Sequence, residues 1–150
     1  MPQTFHNVLL HAIFSTKERA PLISPALRPR LHEYMAGIIN NNIGVPIYVG
    51  GTQDHVHILL CVLPPVAISD AMRTLKACSS KWVHETFGDL KSFAWQDGFA
   101  VFSVSESNKQ QVVRYIEEQE EHHRKLDFKE ELLLFLKRNH VDYDPRFVWT

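Results

Sequence analysis

Nine consecutive residues, His55 to Leu63, constrain the fold of this chain more than any other stretch. After the His55-Val56-His57 triplet every position to Leu63 is apolar. Strand side chains alternate between faces. Val56, Ile58, Leu60 and Val62 therefore line one side, while Leu59, Cys61 and Leu63 continue the side of the two histidines. A strand apolar on both sides is covered on both sides, which places it inside a sheet rather than at an edge. Pro64-Pro65 ends it. Two imidazoles thus project from one face at the start of a buried strand.

Local signals supply the elements around it. Phe5 to Ser15 is rich in β-branched and aromatic residues and predicts a first strand, followed by the polar Lys17-Glu18-Arg19-Ala20-Pro21. Ser24-Pro25 offers an N-cap and a first-turn proline for a helix to about Asn40, with Leu27, Leu31, Tyr34, Met35 and Ile38 as its apolar stripe. Val45 to Val49 is a short strand, and Gly50-Gly51 begins the turn into His55. A second helix runs from about Ser69 to Phe87, with Ile68, Met72, Leu75, Cys78, Trp82 and Val83 facing inward. Asp97-Gly98 predicts a hairpin turn within Trp95 to Ser103. Strand-helix-strand-strand-helix-strand, then two helices, predicts a ferredoxin-like α+β domain with an antiparallel sheet. At 150 residues, 45% of them apolar, the chain predicts one domain with one core over residues 1–150.

Ser107-x-x-Gln110 predicts a capping box for the first of the two closing helices. On that helix Val112, Tyr115, Ile116, Gln119 and His123 form one stripe, with Arg114, Glu117, Glu118 and Glu121 opposite. Tyr115 and Gln119, four apart, lie one turn from each other on the same side. Gln119 faces inward, where an amide needs a polar partner. Two imidazoles and an amide oxygen form a three-donor set with open positions. With phosphate as substrate, that mixture favours Mg²⁺ or Mn²⁺. A phenol beside such a cation can attack phosphorus, although a free pKa of about 10 means it needs local help. His6, His11, His32, His84 and His140 have no spacing that supports a ligand role. His122 and His123 project nearer the site and are expected to be structural or substrate-adjacent. Phe128 to Arg138 makes a last amphipathic helix, and the aromatics of the tail are expected to dock.

His55-Val56-His57, Tyr115 and Gln119 resemble the active site of the HUH single-tyrosine transposases. So do Trp95-Gln96-Asp97-Gly98-Phe99, Ser103-Val104-Ser105, the run from Tyr115 to Lys125, and Tyr143-Asp144-Pro145-Arg146-Phe147. The resemblance spans His6 to Trp149 and includes the REP-associated tyrosine transposases. It implies the ferredoxin-like fold, with two helices on one sheet face and the Tyr115 helix crossing the other. It implies metal-dependent nicking and rejoining of single-stranded DNA at hairpin-bearing ends, with Tyr115 as nucleophile and His55, His57 and Gln119 as metal ligands. DNA would be joined through its 5′ end, leaving a free 3′-OH. The resemblance further implies a homodimer in which the tyrosine helix of one subunit completes the histidine site of the other. The polar segment Ser105-Glu106-Ser107-Asn108-Lys109 is the expected hinge, and no organic cofactor is expected. Glu118 departs from the asparagine often found there in the family. It lies on the outward face, where it would affect DNA contacts more than cutting.

A formal net charge of −1 does not by itself suggest a nucleic-acid partner. Its distribution is more informative. Through Lys91 there are eight Lys and Arg against six Asp and Glu; from Ser92 onward there are eight against eleven. The phosphate-binding surface is therefore expected on the first half, from Lys17 and Arg19 in their loop and from Arg73, Lys76 and Lys81 on the second helix. Cys61 and Cys78 show no metal or redox spacing and predict small buried residues in a reduced cytoplasm. The longest apolar stretch is broken by Pro64-Pro65 and too short to span a bilayer, and no secretory signal precedes Lys17, so a cytoplasmic protein without a membrane partner is expected. The competing class is a non-catalytic or domesticated hairpin-binding module of the same fold. The intact set of His55, His57, Tyr115 and Gln119 argues against lost turnover but leaves mobile and domesticated roles open.

Overall fold

The computed structural model describes residues 2–150. β3 (His55–Val62) lies between β1 (Leu9–Ser15) and β2 (Gly44–Gly51), as a strand apolar on both sides requires. β4 (Ala100–Val104) pairs with the other edge of β1, so the sheet is antiparallel with order β2-β3-β1-β4. The crossovers are α1 (Leu27–Asn42), between β1 and β2, and α2 (Ile68–Thr86), between β3 and β4. This is the ferredoxin-like α+β arrangement. Both crossover helices cover the face formed by Leu10, Ala12, Phe14, Val56, Ile58 and Leu60, where the main core sits. α3 (Lys109–Glu117), α4 (Gln119–His122) and α5 (Phe128–Arg138) follow the last strand. A smaller core of Ile13, Phe102, Phe128, Leu132 and Leu136 holds α5 against the other face.

Several local expectations give way to longer-range contacts. β1 begins at Leu9 rather than Phe5, which is 83% exposed. Its partner strand ends at Val62, so residues before Val8 have nothing to pair with. Asp97-Gly98 does not reverse the chain. Trp95 bridges Thr16 and Ala100 pairs with Ile13, so the segment runs along one edge of β1 and bulges outward between the two contacts. Lys76 Nζ fills this bulge, donating to the carbonyl oxygens of Gln96, Asp97 and Gly98. Ser107 forms no capping box. Glu106–Asn108 is a 3₁₀ turn leading into α3, and the Ser107 hydroxyl pairs with that of Ser105.

Ser24 caps as expected, accepting from the Leu27 amide at 3.1 Å, and α1 extends past Asn40 to Asn42. Two residues assigned to inward stripes are exposed. Ile68 opens α2 facing outward, while Tyr34 stacks on Trp82 at 4.7 Å between ring centroids. The tail docks through Val148 and Trp149, whereas Tyr143 and Phe147 stay exposed. No helix among the described residues is long and apolar enough to cross a membrane.

Candidate active site

His55 and His57 open β3 on the face away from α1 and α2, both fully buried. Each is gripped at Nδ1. For His57 the partner is His11 of β1, whose Nε2 lies 2.8 Å away. For His55 the partners are Asp54 Oδ1 at 2.7 Å and Thr52 Oγ1 at 3.0 Å. A partner on one ring nitrogen fixes the imidazole and leaves the other nitrogen for a ligand. Here both Nε2 atoms turn toward α4 and α5. Burial lowers His57 to about 4, against the opposing pull of Glu131, and burial followed by the His57 charge lowers His11 to about 3. Both rings are neutral at pH 7, which for His57 is the form that can coordinate a metal.

Tyr115 reaches this site because α3 packs closely on the end of β2. A Cβ on Gly50 would meet Ile116 Cγ2 at 2.5 Å, so only glycine lets the helix lie there. The Tyr115 ring stands 5.8 Å from the His57 ring and stacks on His122 at 4.3 Å. The expected continuous helix breaks at Glu118 (φ −95°, ψ 21°), and Gln119 starts the separate turn α4. Gln119 is buried nonetheless, with Oε1 2.9 Å from His55 Nε2. The four residues singled out in the sequence therefore meet.

A fifth residue was not foreseen. Glu131 of α5 inserts its carboxylate between them. Oε1 lies 2.9 Å from His57 Nε2, 3.2 Å from His123 Nε2 and 3.6 Å from His55 Nε2. Oε2 accepts from the Tyr115 hydroxyl and stands 3.3 Å from Gln119 Nε2. Burial alone would raise Glu131, but the close approach of His123, a hydrogen bond with His57 and the histidine charges outweigh it, so the group is a carboxylate. Burial, then the Glu131 charge and hydrogen bond, push the Tyr115 phenol upward. His55, His57, His123 and Glu131 bring four donor atoms within 4.8 Å of one another. His123, expected only beside the site, stands within it. The missed signal is periodic: Glu131 interrupts the apolar stripe Phe128, Leu132, Phe135, Leu136 as Gln119 interrupts its own. His11, Asp54 and Thr52 have no comparable signature, since their role depends on strand pairing.

The basic residues expected at DNA are dispersed. Lys17 is exposed just beyond the end of β1, and Ser15 of that strand pairs with His55. Arg19 lies over the Trp149 ring at 5.9 Å. Arg73 is exposed and paired with Asp70, and Lys81 is exposed 3.9 Å from Glu85. Arg73, Lys76, Ser80 and Phe99 line one open groove, and Lys17 lines another that shares Gln96 and Asp97 with it.

An antiparallel ferredoxin-like sheet presenting His-x-His to a helical tyrosine is the architecture of an HUH-type tyrosine transposase, a DNA-cleaving and strand-transferring enzyme. Residues 4–119 match the IS200-like transposases, and the chain belongs to that family. It is 28% identical over 114 residues to the ISDra2 transposase TnpA of Deinococcus radiodurans, covering 73% of this chain and 81% of that relative. A crystal structure of a Deinococcus radiodurans R1 protein described as a transposase is similar at 26% identity and TM-score 0.66, over 79% of this chain and 95% of that one. The structure of a REP-associated tyrosine transposase bound to a REP hairpin shares the fold, with 14% identity, TM-score 0.59, and 82% and 73% of the two chains covered. The family match ends at Gln119, so α5 and Glu131 lie beyond it.

Proposed function

We propose that this transposase nicks and rejoins single-stranded DNA at hairpin-bearing ends, with Tyr115 as nucleophile. The observation that carries it is the meeting of the Tyr115 hydroxyl, the Gln119 amide and both histidine Nε2 atoms around Glu131. Neutral imidazoles and an amide oxygen suit a divalent cation, and His55, His57 and Gln119 would hold Mg²⁺ or Mn²⁺. Such an ion polarises a scissile phosphate and offsets the charge that develops on its oxygens. Tyr115 rests protonated, hydrogen-bonded to Glu131. In the forward step a bond forms between Tyr115 Oη and phosphorus, and the bond from phosphorus to the 3′-oxygen breaks. The phenolic proton passes to Glu131 Oε2, and the departing 3′-oxygen takes a proton from water. The products are a 5′-phosphotyrosine and a free 3′-OH. One phosphodiester replaces another, so the reverse step needs no nucleotide cofactor.

The hairpin requirement is supported by the REP-associated relative, whose structure holds a REP hairpin. Lys17, Arg19, Arg73 and Lys81 contact phosphates, with Lys76 shaping the groove between them. The single domain works in the cytoplasm as a homodimer, with Tyr115 acting in trans in at least one state. The exposed turn Glu106–Asn108, tethered by a 2.9 Å bond from Asn7 to Glu106, serves as the hinge. In the single chain Tyr115 stands against its own His57.

A labelled single-stranded hairpin oligonucleotide tests the chemistry: cleavage is expected with Mn²⁺ and none in EDTA. Undiminished cleavage in EDTA refutes the metal assignment. Mixing Tyr115→Phe with His57→Ala subunits tests the geometry. A trans arrangement restores one intact site and recovers cleavage, whereas inactive verified heterodimers contradict it.

A further inference from the structure

The metal site assigned above uses three donors, yet two further side chains aim at the same place. His123 follows α4 and Glu131 belongs to α5, so neither shares an element with the histidine pair. Ligands bound at about 2.0–2.2 Å from one ion stand roughly 2.9–3.5 Å apart in tetrahedral or octahedral geometry. Glu131 Oε1 lies 2.9 Å from His57 Nε2, 3.2 Å from His123 Nε2 and 3.6 Å from His55 Nε2, and Gln119 Oε1 lies 2.9 Å from His55 Nε2. Three of these four separations match the edges of a coordination shell, and the His55–Glu131 one lies just beyond them.

Hydrogen bonding alone accounts for the cluster less well. His123 Nε2 is buried and, despite its 3.2 Å approach to Glu131, makes no directed hydrogen bond among the described residues. The two carboxylate oxygens also divide their duties. Oε1 faces the three imidazoles, while Oε2 faces Tyr115 and Gln119.

We propose that Glu131 and His123 are metal ligands, joining His55, His57 and Gln119 in a nitrogen-rich site that prefers Mn²⁺ to Mg²⁺. This rests on the assignment of His55 and His57 as metal ligands. The preference follows from imidazole, which suits transition metals better than the harder Mg²⁺. Glu131 then links the metal to the nucleophile through a single carboxylate, and α5 becomes part of the catalytic unit although it lies beyond the family match.

The test is calorimetric titration of Mn²⁺ into the DNA-free protein, with pulsed EPR of the bound ion to count coordinated imidazole nitrogens. Wild type should bind one equivalent through three imidazoles, more tightly than Mg²⁺. Glu131→Gln and His123→Ala should each weaken binding by at least about tenfold, and His123→Ala should show two imidazoles. Glu130→Gln, an exposed acid on the same helix, should bind like wild type. If His57→Ala loses binding while Glu131→Gln and His123→Ala stay within about twofold of wild type, the added ligands are wrong and the histidine pair stands. If His57→Ala also binds normally, the metal assignment itself fails. Should the Glu131 variant not fold, the wild-type spectrum still decides: two coupled imidazoles overturn the proposal.

Discussion

The two faces of β3 differ in what holds them together. On one, Val56, Ile58 and Leu60 pack against Leu31, Met35, Leu75 and Val83 in contacts that are non-directional and interchangeable. On the other, His55 and His57 meet His11, Gln119 and Glu131, each buried polar group depending on another. Loss of an apolar side chain leaves a cavity; loss of a polar one leaves its partner unsatisfied. Residues adjacent in sequence, His57 and Ile58, therefore serve separate purposes. One face carries the main core and the other the reactive groups, which should make their largest effects separable by mutation.

His57→Ala should produce the largest effect, on activity. Losing several kcal/mol of charge stabilisation at the phosphate corresponds to about a thousandfold or more in cleavage rate. A rate within tenfold of wild type would contradict the division between faces. Leu60→Ala should do the converse. It should lower unfolding free energy by about 2–5 kcal/mol in urea while leaving the cleavage rate of the folded fraction unchanged. Lys76→Met sharpens the boundary, because Lys76 was expected at DNA yet ties down three carbonyls of the Asp97 bulge. A loss of about 1–3 kcal/mol in stability with unchanged hairpin affinity marks a structural role. Weakened, less salt-sensitive binding with unchanged stability marks a phosphate contact.

A further difference concerns pH. Burial, then the Arg28 charge, lowers His32 to about 4. Between about pH 6.5 and 4 the unfolded chain holds a proton on His32 that the folded chain lacks, so stability falls as pH falls through that window and levels off below it. His11 and His57 carry the same sign. His32→Gln should accordingly shrink the acid-induced loss without abolishing it, as read from denaturation midpoints at pH 7, 5.5 and 4.5. An unchanged loss would place His32 in solvent.

Legibility in the sequence follows the same division. The central place of β3 was readable because burial on both sides leaves one kind of position for it. The positions of His55, His57, Tyr115 and Gln119 followed from strand and helix periodicity and from their family resemblance. Glu131 was equally readable in principle, since an acid inside an apolar helical stripe needs a partner. The Asp97-Gly98 bulge was not, because a local turn signal was overruled by pairing with β1 on both sides and by Lys76 from another helix. Nor was the grip of His11 on His57, which exists only once two strands take their register.

Covalent capture on Tyr115 tests the central claim most directly. Wild-type protein incubated with labelled single-stranded hairpin DNA and Mn²⁺ should yield an adduct that survives SDS, with the label mapped to Tyr115 by mass spectrometry. Tyr115→Phe removes one hydroxyl and keeps the ring, so it should bind the hairpin nearly as well and form no adduct. An SDS-resistant adduct with the Tyr115→Phe protein would contradict the assignment of the nucleophile.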